Sequence, residues 1–298
     1  MSKNIKLGLI GFTKGNGHPY SWSAIFNGYN KKLMSKCGFP VITKYLEKKS
    51  FPKDQIKNAK VTHIWTQDHK ISKKISKTTY IANIVRNYKD LIGKVDAILL
   101  ARDDAEFHFK YAKPFLEKGI PIYIDKPFAL TLPQAKKIID LQRYKGQIFS
   151  CSALRYAKEL QLNKKQKKKI GKIKSIHAFV PKDWDKYSVH AIEPLIKLIP
   201  NRGKILKHKR SVVDRQTMLN ITYKSKISVN IYASGNKESP IGLRIIGKKG
   251  WSDLFLQDTF KCFRASLKDF ILGILERKVK ISDKEILEVV KLIQLGRK

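Results

Sequence analysis

Cysteine is nearly missing from this chain: three residues, Cys37, Cys151 and Cys262, odd in number and widely spaced over 298 positions. They form neither a disulfide framework nor a metal-ligand motif, so no metal site is expected and a reducing compartment is implied. Long apolar runs are missing too. The first apolar stretch, Leu7 to Phe12, is too short for a membrane span and reads as a strand, so neither a signal peptide nor a membrane helix is expected. A cytoplasmic location follows as the expectation. Acidic residues are also few, 24 Asp and Glu against 62 Lys and Arg, for a formal net charge of +38.

That charge admits two readings. Clustered basic side chains bind phosphate backbones, which would make a nucleic acid or another polyanion the partner. Here Lys far outnumbers Arg, the residue that planar phosphate recognition favours, and most lysines are scattered. Only Lys164 to Lys169 forms a dense run. A solvated surface with a compositional bias explains this better, so nucleic acid is the weaker reading. The remainder is ordinary globular usage, 42% hydrophobic with 17 glycines and 11 prolines, in a chain long enough for two domains.

Residues 95–128 organise the chain. Val95 to Ala101 is a short continuous apolar run, the pattern of a buried strand. Ala105, Phe109, Ala112 and Leu116 then recur three and four apart, one face of a helix that Gly119 and Pro121 close. A second apolar run, Ile120 to Ile124, ends in Asp125-Lys126-Pro127. Strand, helix and strand in this length predict a right-handed crossover in a parallel sheet, with ligands beyond the carboxyl ends of the strands. Lys126 stands at such an end.

This stretch resembles the Gfo/Idh/MocA oxidoreductases, the glucose–fructose oxidoreductase and inositol dehydrogenase group. Those carry Glu-Lys-Pro at this strand end and a His-x-x-x-Ala helix before it; here Asp125-Lys126-Pro127 and His108-x-x-x-Ala112 match. The resemblance extends in order and spacing over the whole chain. It implies an α/β protein: a Rossmann-type doubly wound parallel sheet over 1–127, then a domain over 128–298 with a large, mostly antiparallel open sheet. It also implies hydride transfer between a nicotinamide cofactor and a hydroxyl or keto carbon of a sugar, sugar derivative or nucleotide sugar.

At the N-terminus, the strand Ile5 to Ile10 runs into a turn with Gly11, Phe12, Gly15, Asn16 and Gly17 ahead of a helix near 21–29. A strand, a glycine turn and a helix start suit a pyrophosphate, although the tight G-x-G-x-x-G spacing is not present. His18 reads as a turn residue. Residues 31–60 read as an inserted lobe with Pro40 and Pro52 as breakers. After the strand Val61 to Trp65, Gln67 or Asp68 is the candidate for the ribose hydroxyls. NAD is the expected cofactor, with NADP left open because no acid abuts that strand. A helix is expected over 68–77 and a strand over 80–85. By resemblance the loop Ala101 to Ala105 passes the nicotinamide, which makes Arg102, Asp103, His108, Asp125 and Lys126 cofactor candidates. Asp104 reads as a helix cap.

A helix over 131–145 and a strand over 147–152 link the two domains. Arg155 matches a position that faces the sugar in relatives, and reads equally as a surface residue on a helix over 155–168. Alternation at Lys172 to Val180, then at Leu219, Ile221 and Tyr223, at Ile227, Val229 and Ile231, and at Ile241, Leu243 and Ile245 predicts a sheet with one buried face. Its other face is expected to pair with a second copy, as a dimer or tetramer. Helices are expected at 258–276 and 283–295, the last opened by the box Ser282-x-x-Glu285.

Residues 183–199 form the other focus. Val189, Ile192, Ile196 and Ile199 define a buried helix face, with His190 beside it. Relatives carry Asp-x-x-x-His here, the His exchanging the sugar hydroxyl's proton. His190 matches the His, but Lys186 stands where the Asp would be. The expected catalytic pair is therefore Lys126 and His190, with Arg155, Lys186 and Tyr187 contacting the substrate. Pro194 is expected to kink the helix. Two alternatives stand beside this: a non-catalytic dinucleotide or sugar binder on the same fold, and the nucleic-acid reading.

Overall fold

The apolar runs of the N-terminal half pair in one direction. The computed structural model describes residues 4–235 and 238–297. Ile5–Ile10 (β1), Ala59–Trp65 (β2), Asn83–Ile84 (β3), Ala97–Leu100 (β4), Ile122–Ile124 (β5) and Ile148–Phe149 (β6) form a sheet in the order β3-β2-β1-β4-β5-β6. Every pairing in it is parallel. This is the doubly wound order, whose strand sequence reverses between β1 and β4. The helices between the strands are His18–Asn27 (α1), Lys31–Met34 (α2), Pro40–Glu47 (α3), His69–Thr79 (α4), His108–Leu116 (α5) and Leu132–Ile139 (α6). Both sheet faces are therefore covered, and β4 and β5 are buried at every residue.

The chain separates into two compact units. The first comprises Met1–Ala129, Pro133–Cys151 and Phe263–Ile286; the second comprises Leu130–Leu132, Ser152–Cys262 and Leu287–Lys298. The second unit holds Lys164–Ile170 (α7), Ile173–Val180 (β7), Trp184–Leu198 (α8) and the strands Ile205–Val213 (β8), Gln216–Tyr223 (β9), Ser228–Ala233 (β10), Gly242–Gly247 (β11) and Trp251–Phe255 (β12). Its sheet runs β12-β11-β7-β10-β9-β8. All neighbours are antiparallel except β7 and β10, which are parallel. Most of the alternation read from sequence is the burial seen: Ile176, Ala178, Val180, Leu219, Ile221, Tyr223, Val229, Ile231, Leu243 and Ile245 are inside, while Ile227 and Ile241, each one residue ahead of its strand, are half-buried. Thr259–Glu276 (α9) and Asp283–Leu295 (α10) close the chain, and the Ser282–Glu285 box forms in both directions.

Several local expectations are corrected. The helix over 155–168 does not form. Two short 3-10 turns at Ala153–Tyr156 and Lys158–Leu160 replace it, and the Asn163–Gln166 capping box starts α7 afresh on the lysine run. The strand over 80–85 shrinks to two residues because Tyr80, at φ 54°, is spent on the left-handed cap of α4. The helix from 131 stops at Ile139. Strands β8 and β12 were not anticipated. β8 reads ILKHKRSVV, an exposed edge strand whose basic side chains discourage further pairing. The helix α8 continues through Pro194 to Leu198. Among the described residues no helix is long and apolar enough to cross a membrane.

Candidate active site

Ile10, Leu100 and Ile124, the last residues of β1, β4 and β5, lie level across the first sheet. One more rung continues the ladder, Ala101 N–H to the Ile10 carbonyl and Asp125 N–H to that of Leu100. The turn after β1, the loop after β4 and the Asp125-Lys126 end of β5 therefore emerge side by side at the strand-order reversal, where such folds bind ligands.

Lys126 is 7% exposed and its Nζ stands 3.9 Å from the carboxylate of Asp103, itself 8% exposed. Asp125 is 1% exposed and fully engaged. Its Oδ1 accepts the Lys126 amide at 2.7 Å, and its Oδ2 accepts Asn16 Nδ2–H at 3.0 Å. His18 Nδ1 lies 2.5 Å from the same Oδ2; a carboxylate only accepts, so the imidazole carries its proton on Nδ1. Burial alone would raise the Asp125 carboxyl. The charge and hydrogen bond of His18, the charge of Lys126 and the bond from Asn16 outweigh it and hold the carboxyl below its ordinary value.

The glycines of the turn have different reasons. A Cβ on Gly17 would stand 2.3 Å from Ile42 Cδ1 and 2.8 Å from the Phe39 ring, because α3 and its preceding loop rest on that spot. On Gly11 it would meet the Pro19 ring at 2.9 Å. Both glycines serve packing within the protein. Gly15, at φ 86°, has no atom within 4 Å of where a Cβ would be, so the space over it is open. Among the described residues no acceptor faces the amides of Thr13, Lys14 and Gly15. That open, donor-bearing turn beside the strand reversal suits a dinucleotide's diphosphate.

The other candidates of this unit are largely committed to the fold. Gln67 clamps the backbone of Phe12 at both ends, accepting its N–H at 3.0 Å and donating to its carbonyl at 2.5 Å. Arg102 donates to that carbonyl and to Gln67 Oε1, and lies over the Tyr111 ring at 4.7 Å. Asp104 does not cap the following helix with its side chain; its carboxylate holds the Arg102 guanidinium in a two-point pair. His108 is buried between the carbonyls of Phe128 and Arg102, at 3.0 and 2.8 Å. Asp68 caps α4 through Oδ1, and both ribose candidates, Gln67 and Asp68, are exposed.

In the second unit, α8 is anchored at its start by Trp184, whose indole N–H donates to the Ile293 carbonyl at 2.8 Å, and by the Asp183 cap. Val189, Ile192, Ile196 and Ile199 are buried, as their spacing requires. His190 is half-buried, with Nδ1 2.8 Å from Ser152 Oγ and its ring edge-on to Tyr187 at 5.4 Å. Glu193, one turn further, is 2% exposed and paired with Arg155 Nη1 at 3.1 Å. Arg155 is thus an inward ion-pair partner on a 3-10 turn, not a surface residue on a helix. Lys186 is half-buried, Asp185 turns to Arg297 at 3.5 Å, and Tyr187 receives a bond from Lys182 at 2.8 Å. Sequence reasoning missed His18, Ser152 and Glu193.

Residues 42–152 match the model of the Gfo/Idh/MocA oxidoreductase family, described as an NAD-binding Rossmann fold. Over this segment, a little over a third of the chain, the sequence is similar to the NAD-binding fold of that family. The family's nicotinamide cofactor, NAD, goes with the same match. No curated protein matches the chain by sequence. Solved structures agree in fold. A levoglucosan dehydrogenase in complex with NADH and L-sorbose gives a TM-score of 0.74 at 14% identity, over 98% of this chain and 95% of the other. Scyllo-inositol dehydrogenase from Lactobacillus casei, with bound NAD(H) and scyllo-inositol, gives 0.68 at 15% identity over 98% and 96%. UDP-N-acetylglucosamine 3-dehydrogenase from Acidithiobacillus ferrooxidans gives 0.70 at 14% over 98% and 96%. At these identities the likeness shows the fold alone.

Proposed function

We propose that this chain is an NAD-dependent oxidoreductase acting on a ring hydroxyl, or the matching ketone, of a sugar, sugar derivative or nucleotide sugar. The observation that carries the reading is the bracing of Lys126: a cation held at the carboxyl end of a central strand, between one buried carboxylate at its ammonium and another at its amide. A lysine so placed can polarise an alcohol or ketone oxygen without wandering.

When bound, NAD supplies the hydride acceptor. The turn Thr13–Gly15 would hold its diphosphate, and Asp68 would meet a ribose hydroxyl. Lys126 orients the substrate oxygen and lowers the cost of its deprotonation. His190 takes that proton, with Ser152 fixing its Nδ1 side. Arg155, tied to Glu193, shapes the surroundings of His190, while Lys186 and Tyr187 contact the substrate. The outward face of the second sheet, with Ser175, His177, Asn220 and Asn230, is the surface proposed to meet a second copy.

Reduction of NAD over a panel of inositols, free sugars and nucleotide sugars tests the reading. Lys126→Ala should lower turnover on the substrate found by about 10²–10⁴-fold, with circular dichroism checking that the variant folds; an undiminished rate removes Lys126 from the chemistry. One observation keeps a second reading alive: Lys186 stands where relatives carry an acid. Binding of NAD with no turnover across the panel would favour a non-catalytic binder.

A further inference from the structure

We propose that His18, fixed by Asp125, grips the diphosphate of the dinucleotide in place of the amides that a helix start ordinarily offers. This rests on the NAD-dependent reading above and adds a residue to it.

The first turn of α1 has little to give an anion. Helix starts usually leave their first amides free for a phosphate. Here the His18 amide is taken by Asn16 Oδ1 at 2.8 Å, and Pro19 has no N–H. The amides of Tyr20 and Ser21 both turn back to the Gly17 carbonyl, at 3.0 and 3.1 Å. Gly17 itself lies buried under Phe39 and Ile42. The dipole of α1 still favours negative charge at this end, yet the donors have to come from elsewhere.

His18 is the side chain that supplies one. Its ring is stacked on Trp22, centroids 5.2 Å apart and planes 12° from parallel, and Phe263 abuts it edge-on at 4.9 Å. With Nδ1–H committed to Asp125, the ring plane is set. Among the described residues Nε2 has no hydrogen-bond partner, and 15% of the side chain reaches solvent. The ionised groups around it are the Asp125 carboxylate and, beyond that, Lys126; Trp22 from its own helix and Phe263 from α9 bring no charge. An imidazole set between a buried carboxylate on one side and a bound diphosphate on the other would hold N–H at both nitrogens, and its Nε2 bond to the anion would be charge-assisted and stronger than an amide's. The open turn Thr13–Gly15 completes the grip with backbone donors.

The arrangement has a second consequence. Asp125 joins His18 on one oxygen and the Lys126 amide on the other, so the diphosphate and the substrate-polarising lysine share one buried carboxylate.

Calorimetric titration of the full chain with NADH, ADP-ribose and adenosine tests this, with circular dichroism checking that each variant folds. His18→Gln keeps a donor for Asp125 and has no second ring nitrogen to offer an anion. It should weaken NADH and ADP-ribose at least tenfold and leave adenosine within twofold. Equal affinities in wild type and variant overturn the role of His18 while leaving the dehydrogenase reading intact. A wild type that binds none of the three overturns both. A measurement on unaltered protein guards against a misfolded variant: ADP-ribose, and not adenosine, should protect His18 from diethyl pyrocarbonate, read by mass spectrometry. Failure to protect also overturns the proposal.

Discussion

Two helix-and-strand settings in this molecule handle a buried carboxylate in different ways. At the end of β5, Asp125 is held by hydrogen bonds from a histidine and an asparagine of a turn 107 and 109 residues away in sequence. On α8, Glu193 is neutralised by Arg155 from a 3-10 turn 38 residues away. An arginine stays charged at any working pH, whereas a histidine is the side chain whose charge changes near neutrality. The α8 setting is thus a fixed ion pair that shapes the neighbourhood of His190. The β5 setting is a hydrogen-bonded network around Asp125 with the chemistry-bearing lysine built into it.

Removing the fixed pair's cation should show the largest effect. Arg155→Ala strands a buried carboxylate, which costs about 3–5 kcal/mol. Arg155→Met with Glu193→Leu should recover most of that, since two apolar residues of similar volume leave no charge unpaired. Urea unfolding midpoints of both variants decide it. If the single substitution costs less than about 1 kcal/mol, the pair is not what stabilises α8.

Acidification should separate the two settings. The Asp125 carboxyl is held below its ordinary value, burial opposing and His18, Lys126 and Asn16 prevailing. A carboxyl lowered in the folded state adds stability that is complete above the ordinary carboxylate range and is lost as the pH falls through it. Asp125→Asn should therefore lower stability by about 1–3 kcal/mol at neutral pH and flatten its decline toward acid. Unfolding midpoints measured from neutral pH downward would show wild type and variant converging. Parallel curves would mean that Asp125 is not the group being titrated.

The sequence carried the β5 setting further than the α8 one, and the reasons are local. Val95 to Ala101, the 105–116 face and Ile120 to Ile124 declare a strand, a helix and a strand through periodicity, so the position of Lys126 at a strand end was legible. The buried face of α8 was legible in the same way, through Val189, Ile192 and Ile196. What pairs with what was not. Nothing near His18 announces Asp125, because their meeting depends on the level ends of β1, β4 and β5. Gly17 resembles a phosphate-loop glycine, yet its lack of a side chain answers to Phe39 and Ile42, residues of a lobe whose placement no pattern encodes. Strand β8 was hidden because an edge strand rich in Lys and Arg has a charged pattern, not an alternating one. Arg155 was drawn on a helix because a run of lysines after it has good helix propensity, while Ser152 and Asn163 cap two separate segments there.

The smallest expected effect lies at Ser152, which stands to His190 as Asn16 stands to Asp125. Ser152 Oγ lies 2.8 Å from His190 Nδ1 and also accepts the Leu154 amide at 3.2 Å. Ser152→Ala removes both bonds, for about 0.5–1.5 kcal/mol each, and loosens the ring of His190, which keeps its edge-on contact with Tyr187. If His190 carries the substrate's proton, a loosened ring should lower kcat several-fold while KM for the sugar stays put, because orientation matters most in the transition state. Asn16→Ala makes the matching change in the first unit. It loosens Asp125 and the turn beside Gly15, so its effect should fall on KM for NAD instead. An equal split of both variants between kcat and KM would mean that the two braces do the same job, and the contrast between a cofactor-facing and a proton-handling carboxylate setting would not stand.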